Sequence, residues 1–288
     1  MLWHTNPQKG SQVSGVEYTF RLQGNQIKRI LLCSAREVAV EFAELARRIV
    51  MKRPLTILTG AGISAESGIP TFRGPTGYWS QFKFEELASR EGFVANPERV
   101  LAWYTERRVQ LRTVQPNAGH YAIAGFERLL PETVVITQNV DGLHHRAGSQ
   151  TVWELHGTLM RDKCFDCESP FDATYDITTI AEQRCPCGGR IRPDVVWFGE
   201  LLPERVVAAA ENAVARGGCC IVAGTQGTVW PAAGLAYQAR NAGAFLIEVN
   251  PDETDLSPIC HFCIRQQSGE ALPKLRDAVS AALAEAVR

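Results

Sequence analysis

Apolar positions along the chain follow two periods. From Glu37 onward, Val38, Phe42, Leu45 and Ile49 recur every three or four residues, which predicts an amphipathic helix ending before Pro54. The other pattern is short and continuous. Leu55–Leu58, Thr133–Thr137, Thr151–Leu155, Cys219–Ala223 and Ala244–Val249 are apolar or β-branched runs of strand length. Ile259–Ile264 reads as a further short strand. Residues 82–130 read as helices broken at Asn96-Pro97 and at Gln115-Pro116-Asn117, and helical patterns fill the later gaps. Strands alternating with helices predict an α/β fold with a parallel sheet covered on both faces.

The ends of these strands carry the candidate chemistry. Glycine or polar residues follow five of them, and ligands of open α/β sheets sit outside the carboxyl ends of the strands. Gly60, Gln138, Asn139, Asp141, His156, Thr225 and Asn250 are thereby expected around one crevice. After the first strand, Gly60, Gly62 and Ala65 fit the Gly-x-Gly-x-x-Gly/Ala turn that brings backbone against a pyrophosphate. The acidic residue that a dehydrogenase places about 20 residues later has no counterpart in Gly77–Lys83. The loop runs instead into Thr71-Phe72-Arg73-Gly74, a polar, aromatic and cationic patch suited to a lid over a nucleotide.

Composition narrows the class. A chain of 288 residues with 45% hydrophobic and 21% charged residues fits one large domain or a large and a small one. A formal net charge of −1 provides no general attraction to nucleic acid or anionic membrane. No apolar run approaches the roughly 18 residues of a membrane span, and Met1–Asn25 lacks the apolar core of a secretory signal. A cytoplasmic location is expected. Nine cysteines in such a chain point to metal or free thiols before disulfides.

Cys164-x-x-Cys167 is followed, after 17 residues, by Cys185-x-Cys187. Two close pairs at this separation read as a four-thiolate structural zinc site. The second pair has one intervening residue where two are usual, so its loop is tighter, and Gly188-Gly189 supplies the freedom for it. A site closed by four protein ligands has no catalytic position and serves to fold a small module. Cys260-His261-Phe262-Cys263 has similar spacing but lies in an apolar stretch without a second pair. Its cysteines, like Cys33, Cys219 and Cys220, read as small buried hydrophobes.

Taken together these motifs resemble the sirtuins, the NAD-dependent protein-lysine deacylases. The resemblance rests on Gly60–Ser64, Thr71–Arg73, Gln138–Asp141, Leu155-His156-Gly157, the four cysteines, Val195–Glu200, Gly224-Thr225 and Val249-Asn250, in the family's order. It covers roughly residues 37–285 and leaves 1–36 as an N-terminal extension, open between a disordered arm and an overlong start. It implies a Rossmann-type domain (about 37–74, 131–158 and 193–285) and a smaller zinc-binding and helical domain from insertions at about 75–130 and 159–192. The implied co-substrate is NAD, with one structural Zn2+, acyl-lysine protein substrates and a monomeric state.

By the same resemblance, the acyl oxygen attacks the ribose carbon that nicotinamide leaves, and His156 is the general base on a ribose hydroxyl. Gly60, Ala61, Gly62, Ala65, Glu66, Thr71, Phe72, Arg73, Gln138, Asn139, Asp141, Gly224, Thr225, Gln226, Asn250 and Ser268 are the implied NAD contacts. Gln226 departs from the family's usual serine, and Ser268 matches the adenine-contacting turn only loosely. Val196, Phe198, Gly199, Glu200 and Val229 belong to segments implied to sandwich the substrate peptide by strand addition.

Tyr104 and Arg107 stand three residues apart on a predicted helix and so share a face. A guanidinium beside a phenol makes a carboxylate receptor. The pair matches the Tyr-x-x-Arg of the class that removes succinyl and malonyl groups, with small Ala65 leaving room at the pocket floor. The expected activity is desuccinylation with weaker deacetylation. Two alternatives remain open at this point: a mono-ADP-ribosyltransferase using the same crevice, and a zinc-ribbon protein that binds nucleic acid. The acidic Asp162, Asp166, Glu168, Asp172 and Asp176 of the zinc segment oppose the second.

Overall fold

The β-branched and apolar runs form strands because their side chains pack on both faces of a parallel sheet. A computed structural model describes residues 19–21, 27–31, 35–72, 77–171 and 177–286. Arg73, Asp172, Asp176 and Cys33, all singled out from the sequence, lie outside these residues. The strands are β1 (Thr19–Arg21), β2 (Ile27–Leu31), β3 (Leu55–Thr59), β4 (Val134–Thr137), β5 (Val152–Glu154), β6 (Gly157–Cys164), β7 (Pro170–Phe171), β8 (Ile191–Val195), β9 (Cys219–Ala223), β10 (Phe245–Val249) and β11 (Phe262–Ile264). The large sheet has the order β1-β2-β11-β10-β9-β3-β4-β5, all parallel except the β1–β2 pair. The five strands predicted to end in polar loops are therefore neighbours, from β10 to β5.

The helices are α1 (Ala35–Met51), α2 (Gly62–Ala65), α3 (Tyr78–Gln81), α4 (Phe84–Leu87), α5 (Arg90–Ala95), α6 (Pro97–Thr113), α7 (Ala118–Leu129), α8 (Leu143–Arg146), α9 (Glu204–Ala215), α10 (Gly234–Asn241) and α11 (Ser268–Ala286). None of the described helices is long and apolar enough to cross a membrane. The breaks predicted at Asn96 and Asn117 are caps. Asn96 accepts from the Arg99 N–H at 3.0 Å and Asn117 from the Gly119 N–H at 2.9 Å.

Two cores cover the sheet. On one face Phe42, Ile49, Ile57, Ile221 and Ile247 pack with Ile123, Phe126, Leu272 and Leu275. On the other Leu58, Val222 and Leu246 pack with Val214, Leu235 and Ala236. A third core, with Phe93, Leu101, Trp103, Tyr104, Leu159, Ile191 and Trp197, joins α4–α6 to the antiparallel sheet β7-β6-β8. Each large aliphatic side chain buried in this way contributes about 1.5–3 kcal/mol.

Two predicted segments meet the large sheet. The smaller unit is predicted over about 75–130, and within that range α7 packs against α11 in the core on one face of the large sheet. Its buried Ala122, Ile123 and Phe126 form one apolar face that fits that core. Within the predicted N-terminal extension, residues 1–36, the backbone of β2 pairs with β11, Arg29 opposite Phe262, and satisfies an edge that would otherwise be open.

Candidate active site

The crevice is built where the loops after β3, β4, β5 and β9 meet. The Gly60 N–H donates to the Ala223 carbonyl at 3.1 Å and the Gly62 N–H to that of Gly224 at 2.8 Å. A Cβ on Gly62 would lie 2.8 Å from the Gly224 Cα, and Gly224 itself has φ +63°. The glycines thus let two strand-end loops pack backbone to backbone.

The loop after β4 is locked to that turn. The Asn139 amide donates to the Gly60 carbonyl and to Ser64 Oγ, both at 3.1 Å. Ser64 in turn donates to Asp141 Oδ2 at 2.7 Å, and Asp141 Oδ1 accepts the Leu143 N–H at 2.9 Å. Burial raises the Asp141 carboxyl above the usual carboxylate range, against the pull of these hydrogen bonds and of Arg107. Gln138 donates through Nε2 to Thr225 Oγ1 at 3.0 Å and so ties the β4 and β9 loops together.

His156 stands at the end of β5, half-buried, with Nδ1 at 2.9 Å from the Gln138 carbonyl oxygen. A carbonyl only accepts, so Nδ1 carries the hydrogen and Nε2 keeps its lone pair. Burial lowers the imidazole's proton affinity, and the Gln138 bond partly restores it. The ring is therefore neutral near pH 7 and is a base at Nε2.

A cavity next to the loop after β4 is lined by Ala61, Ser64, Phe72, Tyr78, Arg107, Asn139 and Asp141, among others. Arg107 is 8% exposed. Its guanidinium carbon lies 4.6 Å from the Trp103 ring centre, 4.8 Å from Tyr78 and 5.3 Å from Phe72. Among the described residues no oxygen accepts a hydrogen bond from it and no carboxylate pairs with it. The cavity floor differs from expectation. Ala65 is exposed, on the outer side of α2, while Ala61 and Ser64, three residues apart, face inward. Tyr104 is buried beside Arg107 but does not line the cavity, and its hydroxyl accepts from Trp197 Nε1 at 2.8 Å.

Other predicted contacts have structural duties. Glu66 accepts the Gly269 N–H at 2.7 Å, at the start of α11, where Ser268 is buried. Asn250 donates to the Thr225 carbonyl at 3.2 Å and accepts the Asp252 N–H at 3.2 Å. Gln226 is exposed, and its carbonyl holds the Asp255 N–H. Thr71 and Phe72 accept through their carbonyls from Tyr78 and Trp79, which fastens these two residues to α3. In the segment predicted to meet the substrate, the Val196 N–H donates to the His156 carbonyl and the Phe198 N–H to that of Ala88, each at 2.9 Å. Gly199 has φ +86°, and Val229 is half-buried before α10. The Glu200 carboxylate is engaged by Arg192 at 2.6 and 2.9 Å and by the Trp197 N–H at 2.9 Å, so it supports the segment from behind.

Two histidines behind the crevice went unread in the sequence. His120 Nδ1 accepts the Asn117 N–H at 3.3 Å, which leaves its Nε2–H facing Ser64 Oγ at 3.4 Å. Thr59 Oγ1 bonds Thr137 Oγ1 at 2.8 Å and His144 Nε2 at 2.9 Å. Burial lowers the proton affinity of both histidines, His120 to about 4, so both are neutral. The Asn117-x-x-His120 capping pattern was visible, but nothing in it indicated which face of α7 meets α2.

The sulfurs of Cys164, Cys167, Cys185 and Cys187 all lie within 4.8 Å of one another, with pairs at 3.5 and 3.7 Å. Tetrahedral zinc thiolates have sulfurs about 3.8 Å apart, so the four fit the ion. Zinc there cross-links the β6–β7 turn to the loop before β8. Among the described residues no other such cluster occurs. Cys260 and Cys263 are buried in the second core, and Cys219 and Cys220 sit on β9.

Residues 60–231 match the model of the Sir2 family. An NAD-dependent protein deacylase of Mycobacterium tuberculosis is 46% identical over 235 residues, covering 80% of this chain and 99% of that protein. NAD-dependent protein deacylase 2 of Pyrobaculum aerophilum is 43% identical over 82% of this chain and 94% of its own. Among solved structures, a mutant Sir2 homologue in complex with ADP-ribose superposes with a TM-score of 0.79 at 43% identity, covering 84% of this chain and 97% of that one. A Sir2 complex with a p53 peptide and NAD+ superposes at 0.73 and 32% identity, covering 83% and 98%. With these matches spanning the glycine loop, the crevice and the cysteine cluster, the chain belongs to the Sir2 family.

Proposed function

We propose that this chain, an NAD-dependent protein deacylase, removes succinyl and malonyl groups from lysine side chains in preference to acetyl. One observation carries the preference: the Arg107 guanidinium is buried at the cavity wall, ringed by aromatic faces, with no anionic partner among the described residues. Burying an unpaired cation costs free energy that an incoming carboxylate recovers. An acetyl group offers no such carboxylate.

The rest of the site supports the reaction around that pocket. The glycine turn after β3 and the loop after β9 lie at the carboxyl ends of neighbouring strands, where a pyrophosphate would meet backbone. Asn139 and Asp141 line the cavity, where they can meet the nicotinamide end. Nicotinamide is the leaving group that NAD supplies. The acyl oxygen bonds to the ribose carbon as nicotinamide leaves, and His156 Nε2, with its lone pair free, then takes a proton from a ribose hydroxyl whose oxygen attacks the acyl carbon. Val196–Glu200 and Val229 flank a groove where a peptide adds by backbone hydrogen bonds, so binding demands little of its sequence.

The test incubates the purified protein with NAD and a pair of peptides of one sequence, acetylated or succinylated at the same lysine. Nicotinamide release is followed and products are weighed by mass spectrometry. Faster succinyl turnover with acyl-ADP-ribose as product supports the reading. Preference for acetyl removes it, and ADP-ribosylated protein as the main product replaces it with group transfer to protein.

A further inference from the structure

Glu248 is a charged residue inside an otherwise apolar strand. It lies on β10 opposite Val222 of β9 and Cys263 of β11, and it is 1% exposed. A carboxylate buried there is costly unless it is paired and hydrogen-bonded. Its donors come from the chain that follows the strand. Thr254 Oγ1 donates to Oε1, and Ser257 Oγ and Arg265 Nη1 each donate to Oε2 at 2.6 Å. Arg265 also donates to Ser257 Oγ at 2.8 Å and to the Asn250 carbonyl at 3.3 Å. One carboxylate thus gathers the turn over residues 250–257 and ties it to the chain after β11. That turn grips the loop after β9 at three points. Asn250 Nδ2 donates to the Thr225 carbonyl and the Asp255 N–H to that of Gln226, each at 3.2 Å. Leu256 packs so closely on Gly227 that a Cβ there would lie 2.5 Å from the leucine Cγ.

We infer that Glu248 is a positioning residue for NAD: its carboxylate holds the turn over residues 250–257 against the loop after β9, one of the two strand ends assigned above to the pyrophosphate. The inference rests on that placement of the nucleotide and not on the acyl preference. Glu248 lines no part of the cavity, so its effect passes through the turn. For stability alone, a well-packed apolar pair of similar volume serves as well as a buried ion pair. What the ion pair adds here is direction, because each donor must reach one of two carboxylate oxygens. The loop after β9 then has one place to sit, since Gly60 and Gly62 meet it from the other side through their N–H groups. A loop already fixed loses less freedom when the nucleotide arrives, and binding is tighter for it.

The experiment compares Glu248→Gln, Ser257→Ala and Asn250→Ala with the parent, on whichever of the acetyl and succinyl peptides the parent turns over faster. Glu248→Gln keeps the shape and replaces one acceptor oxygen by a donor. Ser257→Ala removes one donor and leaves the Arg265 pair in place, so it decides the matter if the first variant does not fold. Nicotinamide release gives kcat and the KM of NAD and of peptide, and calorimetry gives the Kd of ADP-ribose. Glu248→Gln and Ser257→Ala are each expected to raise the KM of NAD and the Kd of ADP-ribose about five- to tenfold, the size of one lost hydrogen bond. At saturating NAD, kcat and the KM of the peptide should stay within about twofold of the parent. A merely structural role lowers the melting temperature and the active fraction, hence kcat, and leaves the KM of NAD unchanged. That result overturns the inference, as does an equal rise in both Michaelis constants. If Asn250→Ala weakens ADP-ribose and the other two variants do not, only the role of Glu248 falls. If none of the three weakens it, the placement of the pyrophosphate at these strand ends falls as well.

Discussion

Replacing Arg107 by Met tests the acyl pocket most directly. Met keeps the length of the side chain and its contact with the Trp103, Tyr78 and Phe72 rings, and removes only the charge and the donors. A charge-assisted hydrogen bond contributes about 1.5–3 kcal/mol, and a forked guanidinium–carboxylate contact sits at the upper end of that range. A loss of about 3 kcal/mol corresponds to a fall of about a hundredfold in succinyl kcat/KM. Acetyl turnover should change by less than about threefold, since no acetyl atom needs the cation. Fold stability should hold or rise. The cation–π contacts are worth about 0.5–2 kcal/mol, and their loss is offset by no longer burying an unpaired charge. The assay is steady-state nicotinamide release on the two peptides, with a thermal melt of each variant. Equal losses on both acyl groups, or a large drop in melting temperature with no change in selectivity, would refute the argument.

Other consequences follow from the same geometry. His156→Ala should abolish deacylation, and in the parent the acid limb of kcat/KM should lie below the ordinary histidine value of 6.5, because burial lowers its proton affinity; a limb above 7 would remove it as the base. His120, lowered from 6.5 to about 4, stabilises the fold fully above pH 6.5 and loses that contribution as pH falls towards 4. The amount is on the order of 3 kcal/mol, so denaturant melts of His120→Asn should show a flatter decline over that window than the parent. The four thiolates should hold one zinc per chain by elemental analysis; Cys164→Ser or chelation should release it and lower the melting temperature, and full stability without metal would contradict a structural site.

Much of this protein is legible in order along the chain. Apolar runs ending in Gly60, Gln138, His156 and Gly224 identify strands and their functional ends, because a buried parallel strand must be apolar and its carboxyl end must turn. Cysteine spacing identifies a metal cluster, because chelation depends on short loops. Helix-breaking Asn96-Pro97 and Asn117 are legible too, since capping is local chemistry.

What the chain order leaves open is which surfaces meet. Residues 118–129 and 27–31 carry no signal of the sheet they join, because helix faces and strand edges find partners far away in sequence. Glu66, Asn250 and Glu200 are polar residues within or beside ligand motifs, yet each is engaged by backbone or by arginine in the folded chain. His120 and His144 read as ordinary helix residues until α7 and α8 bring their rings to 5.0 Å beneath the crevice. The same holds for Arg107. Its residue type and spacing with Tyr104 were visible, but its burial among aromatic rings, with no ion-paired carboxylate among the described residues, is a property of packing.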